Sequence, residues 1–238
     1  MTTRIQLERS GPIATLWLDR TARVIVLRGR GTVFSSGIDH SLLTQVFSAT
    51  SKTPFLHLHH QLQDVFHRMN RLHQPVVAAL HGACIGMGLE LALAADIRVA
   101  SEDCVLGLPE IAFGLVPDVG GTTRLVRAVG EPRARELILT GRLVRAATAE
   151  RYGLVHEVAR DVDALSHRIG ELGVELSAHS GTALGLAKTL CLASADADAA
   201  TSFRLEGVVQ QTLLAQPDLM SRFPAALAFI KSQVMNPR

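Results

Sequence analysis

Residues 75–125 read PVVAALHGACIGMGLELALAADIRVASEDCVLGLPEIAFGLVPDVGGTTRL. The apolar run Val76–Leu80 predicts a buried strand, and the glycine-rich turn after it opens a helix. That helix carries Glu90, and the chain then continues to Glu110 and Asp118. Because a buried unpaired charge is costly, these carboxylates in so apolar a setting indicate a functional site.

The periodicity of apolar residues predicts the other elements. Before the stretch we expect a β-hairpin over 4–8 and 13–19, a strand over 23–27 and a helix over 54–72. Within and after it we expect a turn over 82–86, strands over 97–100, 104–107 and 155–158, and helices over 87–95, 119–128, 131–140 and 146–152. Past Asp161 the pattern is helical, over 163–178, 181–193, 198–214 and 217–232. This order predicts an α/β fold with a core in residues 1–160 and a helical region in residues 161–238.

The composition is that of a globular protein, with 47% hydrophobic and 19% charged residues. The net charge of +2 gives no general attraction to nucleic acid or to a membrane surface, so we expect neither as a partner. The cysteines, Cys84, Cys104 and Cys191, match no metal-ligand spacing. Reduced thiols in a cytoplasmic protein are the simplest account of them.

The segment around the helix over 54–72 is rich in histidine, with His57, His59, His60, His67 and His73. His60 and His67 could share a helix face, but no carboxylate or thiol in the segment's pattern completes a ligand set. We therefore predict solvated histidines and no metal site.

The spacing allows Glu90 and Glu110 to face one cavity. A hairpin formed by strands 97–100 and 104–107 would return the chain and bring Glu110 beside the start of the helix that carries Glu90. The helix start near Met87 offers backbone amides and the positive end of a dipole. An amide from the turn at Gly37–Ile38 would complete a two-donor hole for an oxyanion. Such a site suits proton transfer beside a carbonyl group.

Two other kinds of site fit less well. Gly86-x-Gly88 is half of a dinucleotide-binding fingerprint, but the third glycine and the acidic residue at the end of a following strand are missing. Ser35-Ser36 lies in no G-x-S-x-G elbow, which argues against a serine hydrolase.

The chain resembles the enoyl-CoA hydratase/isomerase, or crotonase, family. The matching segments are FSSGID at 34–39, PVVAALHGACIGMGLELALAADIRVA at 75–100, LGLPEIAFGLVPDVGGTTRLVRAVG at 106–130 and LTGRLVRAATAERYGLVHEV at 139–158. The resemblance implies a crotonase-like spiral of ββα units with C-terminal trimerisation helices, and hence a homotrimer or hexamer. It also implies an acyl-CoA thioester substrate, with coenzyme A as part of that substrate and no metal or redox cofactor.

Carried over residue by residue, the resemblance makes Ile38 and Met87 the oxyanion-hole amides and Glu90 and Glu110 the catalytic acids. In the family's hydratases these acids add water to a trans-2-enoyl-CoA and yield a 3-hydroxyacyl-CoA, with Glu110 as main α-proton donor and Glu90 sharing the water. The further substrate-binding positions that the resemblance implies are Ser36, Gly37, Asp39, Gly86, Pro109 and Lys231.

Several features depart from the plain hydratase pattern. GID at 37–39 and PDVG at 117–120 look like the dienoyl-CoA isomerase branch, in which a third acid matches Asp118. Glu90 stands where those isomerases have aspartate, which favours the hydratase. Met87 replaces the family's usual glycine, but the hole uses only its backbone amide.

A segment that usually helps to bind coenzyme A, between the family's second and third strands, is missing between Ala22 and Arg23. Either the protein lacks this segment or the sequence omits a piece of it. Residues 18–22 lead almost directly into the strand over 23–27. This departure leaves open a third interpretation, a crotonase-like domain that binds acyl-CoA without turning it over. We expect a hydratase first and a dienoyl-CoA isomerase second.

Overall fold

The computed structural model describes residues 5–10, 13–18, 22–39, 41–42, 44, 48 and 53–235. The chain divides into two compact units between His179 and Ser180. This division falls later than the boundary after residue 160 that we predicted. The predicted oligomerisation role of residues 161–238 stays a prediction.

The first unit contains strands, helices and a short 3₁₀ helix at Glu110–Phe113. Its strands are β1 (Ile5–Ser10), β2 (Ile13–Leu18), β3 (Ile25–Arg28), β4 (Val76–Leu80), β5 (Ala83–Ile85), β6 (Ile97–Ser101), β7 (Val105–Gly107), β8 (Val144–Arg145) and β9 (Glu157–Ala159). Its helices are α1 (Thr53–Arg71), α2 (Met87–Leu93), α3 (Gly121–Val129), α4 (Glu131–Thr140), α5 (Ala146–Arg151) and α6 (Val162–Ala178). The predicted α/β fold class is confirmed.

The second unit is helical where the structure describes it. It contains α7 (Gly181–Ser194), α8 (Ala199–Leu214) and α9 (Phe223–Met235), with a 3₁₀ turn at Met220–Arg222 before α9. In the described part of the chain, no helix combines the length and the apolar character that crossing a bilayer requires.

The predicted N-terminal hairpin is confirmed. Strands β1 and β2 pair antiparallel, with Ile5 opposite Leu18 and Ser10 opposite Ile13. The outermost residues of that prediction, Arg4 and Asp19, lie outside the described residues.

A parallel sheet with the order β3-β4-β6-β9 forms the centre of the first unit. Strand β4 is buried along its whole length, which explains why its sequence is a continuous apolar run rather than an alternating one. Val77 and Ala79 pack with Leu165 and Leu172 of α6. The intervening residues of β4 face the opposite way and join the larger core cluster around α2 and α3.

Two predictions around the site were wrong. Residues 82–86 are not a simple turn, because Ala83–Ile85 form β5 and pair parallel with β7. The predicted hairpin of 97–100 with 104–107 does not form: β4 and β9 occupy the two edges of β6. Strand β7 therefore has no edge of β6 to join, and it pairs instead with β5 and β8.

Candidate active site

Helix α2 starts where β5 ends, and the site is built around this start. Gly86 connects the two elements with φ 56° and ψ −130°, a conformation that favours glycine. Its carbonyl oxygen accepts the N–H groups of Leu89 and Glu90 at 2.8 and 3.0 Å. The N–H groups of Met87 and Gly88 therefore precede the first hydrogen bond within the helix and lie at its positive end.

The turn at Gly37–Ile38 packs against this helix start. A Cβ atom on Gly88 would lie 2.6 Å from Cβ of Ser35, so only glycine permits the approach. Ser35 is held in place because its N–H donates to Ala83 O and its carbonyl accepts from Ile85 N–H, both at 3.0 Å. Gly37 has φ 101°, and a Cβ atom on it would lie 3.6 Å from the backbone nitrogen of Met87. The two segments predicted to supply the oxyanion-hole amides are thus neighbours.

The carboxylate of Glu110 also lies beside this helix start. A Cβ atom on Gly86 would lie 3.1 Å from Oε1 of Glu110. The Oε2 atom of Glu110 is buried without a hydrogen-bond partner. Burial raises the pKa of the Glu110 carboxyl, and the negative charge of Asp118 raises it further.

Glu90 is almost fully buried, at 2% exposure. Its Oε1 atom accepts the backbone N–H of Gly121 at 2.8 Å and that of Val119 at 3.1 Å. Burial raises the pKa of Glu90 to about 7, against the opposing effect of the Gly121 hydrogen bond. The charges of Asp118 and Glu110 act in the same direction as burial, so the three carboxylates form one electrostatic group.

The carboxylate of Asp118 contacts His59, one of the histidines that we predicted to be solvated. Nδ1 of His59, on α1, lies 3.1 Å from Oδ2 of Asp118, without the alignment of a hydrogen bond. The His59 side chain is 17% exposed, so the prediction of a solvated histidine was wrong at this position. The pattern of apolar residues on α1 gave no signal for a contact with a carboxylate so distant in sequence.

The other predicted site residues lie in varied surroundings. Met87 is half-buried, and its side chain packs against the cluster of Phe66, Ala94 and Val119. Pro109 precedes the 3₁₀ helix that begins at Glu110.

The remaining polar positions are exposed. Ser36 is exposed, as is Asp39, whose carboxylate accepts the Ser41 N–H at 2.7 Å. Lys231 is exposed on α9, in the second unit. The substrate-binding roles of these residues stay predictions. Among the described residues, no group of three or more histidine, cysteine, aspartate and glutamate side chains is placed to hold a metal ion.

The fold and the carboxylates at the start of α2 define an α/β protein with a buried acidic site. The chain belongs to the enoyl-CoA hydratase/isomerase family, whose model matches residues 12–235. A relative from Mycobacterium bovis, named as a probable enoyl-CoA hydratase, is 45% identical over 153 residues, which are 63% of this chain and 54% of that protein. The chain thus spans about half the length of the first curated relatives that it matches.

Solved structures match over more of their length. The enoyl-CoA hydratase of Bacillus anthracis has a TM-score of 0.79 and 28% identity, covering 97% of each chain. A structure from Thermobifida fusca, assigned to enoyl-CoA hydratase and solved in complex with CoA, has a TM-score of 0.73 and 32% identity. It covers 89% of this chain and 93% of that one.

Proposed function

We propose that this protein is an enoyl-CoA hydratase that adds water across the double bond of a trans-2-enoyl-CoA thioester. The observation that carries the proposal is the convergence of Glu90 and Glu110 at the start of α2. The turn at Gly37–Ile38 lies against the same helix start, which supports the backbone N–H groups of Ile38 and Met87 as donors to the thioester oxygen.

The two acids have different surroundings, and these support different roles. Glu90 accepts two backbone N–H groups, which favours its ionised form. Glu110 has a buried oxygen without a partner, which favours its protonated form. Burial raises the pKa of both carboxyl groups, that of Glu90 to about 7, and the charge of Glu110 opposes ionisation of Glu90. We propose that the pair shares one proton, which Glu110 holds when the reaction begins.

In the proposed reaction, the oxygen of a water molecule bonds to the β-carbon while Glu110 gives its proton to the α-carbon. Negative charge builds on the thioester oxygen as an enolate and is stabilised by the two amides. The proton that water releases passes to Glu90 and replaces the one that Glu110 gave. The pair therefore ends the cycle with one proton, and the product is a 3-hydroxyacyl-CoA.

The relatives support a thioester of coenzyme A as substrate, because they are named as enoyl-CoA hydratases and one is described in complex with CoA. We also propose a homotrimer or hexamer in the cytoplasm. Large apolar side chains exposed on α9, among them Phe223, Leu227 and Ile230, support assembly through the second unit. Light scattering of the purified protein tests this assembly, and a monomer at working concentration would contradict it.

The activity is tested by incubating the native chain with crotonyl-CoA. We expect loss of the enoyl absorbance and a product whose mass has increased by one water. If the protein binds crotonyl-CoA but neither change occurs, the chain is a binding protein rather than a hydratase.

One observation favours a second function, a dienoyl-CoA isomerase. The charge of Asp118 raises the pKa of both Glu90 and Glu110, so a third acid stands close to the proposed pair. Such an acid could move a proton along a longer conjugated chain. In that case Asp118→Asn abolishes conversion of a 3,5-dienoyl-CoA and largely spares hydration of crotonyl-CoA. A native chain that ignores the dienoyl substrate excludes this function.

A further inference from the structure

We infer that helix α1 holds Asp118 in a two-residue clamp, formed by His59 and Gln63, and that His59 is a positioning residue of the site. The catalytic part of this inference rests on the second proposed function, the dienoyl-CoA isomerase, whereas the clamp itself rests only on the contacts.

The clamp contacts Asp118 at two points. Nε2 of Gln63 donates a hydrogen bond of 2.8 Å to the backbone carbonyl of Asp118. Nδ1 of His59 lies 3.1 Å from its carboxylate oxygen Oδ2. His59 and Gln63 are four residues apart on α1 and therefore lie on one helix face. One face of one helix thus contacts both the backbone and the side chain of Asp118.

Helix α1 is itself fixed to the elements that carry the acids. Phe66 is buried in a cluster with Ala94 and with Val119, the residue after Asp118. Further along, Nδ2 of Asn70 donates to Ala94 O at 2.8 Å, and Nε of Arg124 donates to Oδ1 of Asn70 at 3.3 Å. The position of His59 is therefore set by packing and hydrogen bonds along the helix.

The position of the Asp118 carboxylate matters because its charge acts on both Glu90 and Glu110. At 38% exposure, Asp118 can turn toward solvent if nothing holds it. The imidazole of His59 lies against the contacted oxygen, and we expect it to limit this rotation. Its removal leaves the Asp118 backbone held by Gln63 but frees the carboxylate, so His59 acts on the reaction only through Asp118.

The contact is tested without any substrate. In protein labelled at the histidine rings, we expect the imidazole resonances of His59 to move in Asp118→Asn. Those of His67, which is exposed on the same helix, should stay in place. If the His59 resonances do not move, the clamp is overturned.

The positioning role is tested by kinetics with His59→Ala, its conservative partner His59→Asn and the control His67→Ala. We expect His59→Ala to lower kcat for a 3,5-dienoyl-CoA about five- to thirty-fold with KM changed less than about two-fold. His59→Asn, which keeps a nitrogen near the place of Nδ1, should recover most of the rate, and His67→Ala should match the native chain.

A double-variant comparison on crotonyl-CoA separates positioning from general damage. Adding His59→Ala to Asp118→Asn should leave the hydration rate unchanged, and His59→Ala alone should never slow hydration more than Asp118→Asn does. The positioning role of His59 is overturned if the double variant hydrates crotonyl-CoA more slowly than Asp118→Asn. It is also overturned if His59→Ala alone loses more of the hydration rate than Asp118→Asn does. If the native chain does not convert the 3,5-dienoyl-CoA, the isomerase function and the catalytic role of His59 both fail, and the His59 resonances still decide whether the clamp exists.

Discussion

Oε1 of Glu90 accepts the backbone N–H of Gly121 at 2.8 Å, so a carboxylate of α2 closes the N-terminus of α3. Gly120, the residue that precedes α3, has no side chain with which to cap it. Glu90 supplies the missing acceptor and satisfies N–H groups that would otherwise be buried without a partner. The carboxylate proposed as a base in the reaction is therefore also part of the contact between two helices.

Replacement of Glu90 by glutamine should change how stability depends on pH. The pKa of Glu90 rises from 4.5 to about 7 on folding, mainly through burial, so the folded state keeps a proton that the unfolded state loses. The contribution of this group to stability is complete below pH 4.5 and is lost as pH rises through about 7. Relative to native, Glu90→Gln should therefore gain at most about 3 kcal/mol in free energy of unfolding between pH 4.5 and pH 8.

Chemical denaturation at both pH values measures this gain. Glu102→Gln, an exposed substitution on the loop after β6, is the control and should show no such trend. A native chain that gains stability relative to Glu90→Gln as pH rises would contradict the assignment.

Gly121→Ala should disturb the junction of α2 and α3. A Cβ atom there would lie 2.6 Å from Cγ of Glu90, which cannot withdraw because it is buried. We expect a loss of about 1–3 kcal/mol in free energy of unfolding, as for an overpacked core. Gly170→Ala is the matched control: this glycine lies in α6 with nothing within 4 Å of the added atom, and alanine there should stabilise by about 0.5–1 kcal/mol. Equal effects of the two substitutions would show that space beside Glu90 does not matter.

Gly88→Ala should separate the two amide-bearing segments. The added Cβ would lie 2.6 Å from Cβ of Ser35 and push the turn at Gly37–Ile38 away from the start of α2. We expect kcat for crotonyl-CoA to fall about 10- to 100-fold, because small displacements of an oxyanion donor are costly. Ser35→Gly removes the clashing side chain, so the double variant should be faster than Gly88→Ala alone. If the fold loss in kcat of the double variant equals the product of the two single losses, the contact between residues 35 and 88 does not transmit the effect.

Much of the fold could be predicted from local pattern. The strand Val76–Leu80 is apolar throughout because both faces are buried, and the structure has the same bounds. The helix at 131–140 also agrees, because glycines flank it at both ends. Strand β5 was missed because it is three residues long and lies among glycines that resemble a turn.

The pairing of the strands and the contacts of the polar side chains could not be predicted from the sequence and are seen only in the structure. Closeness in sequence favoured a hairpin of β6 with β7, whereas the parallel neighbours β4 and β9 already occupy both edges of β6. The spacing of Glu90 and Glu110 allowed them to meet, and the structure brings both to the start of α2. His59 could not be found in this way, because its partner Asp118 comes from another element and no periodicity links them.

The measurement that tests the central claim most directly compares crotonyl-CoA hydration by the native chain, Glu90→Gln and Glu110→Gln, with Glu102→Gln as control. Both site substitutions keep the side-chain shape and remove the capacity to move a proton. We predict that each lowers kcat by about 100-fold or more while Glu102→Gln keeps the native rate. Equal rates in the native chain and both site variants would contradict the account, because Glu90 and Glu110 would then take no part in the reaction.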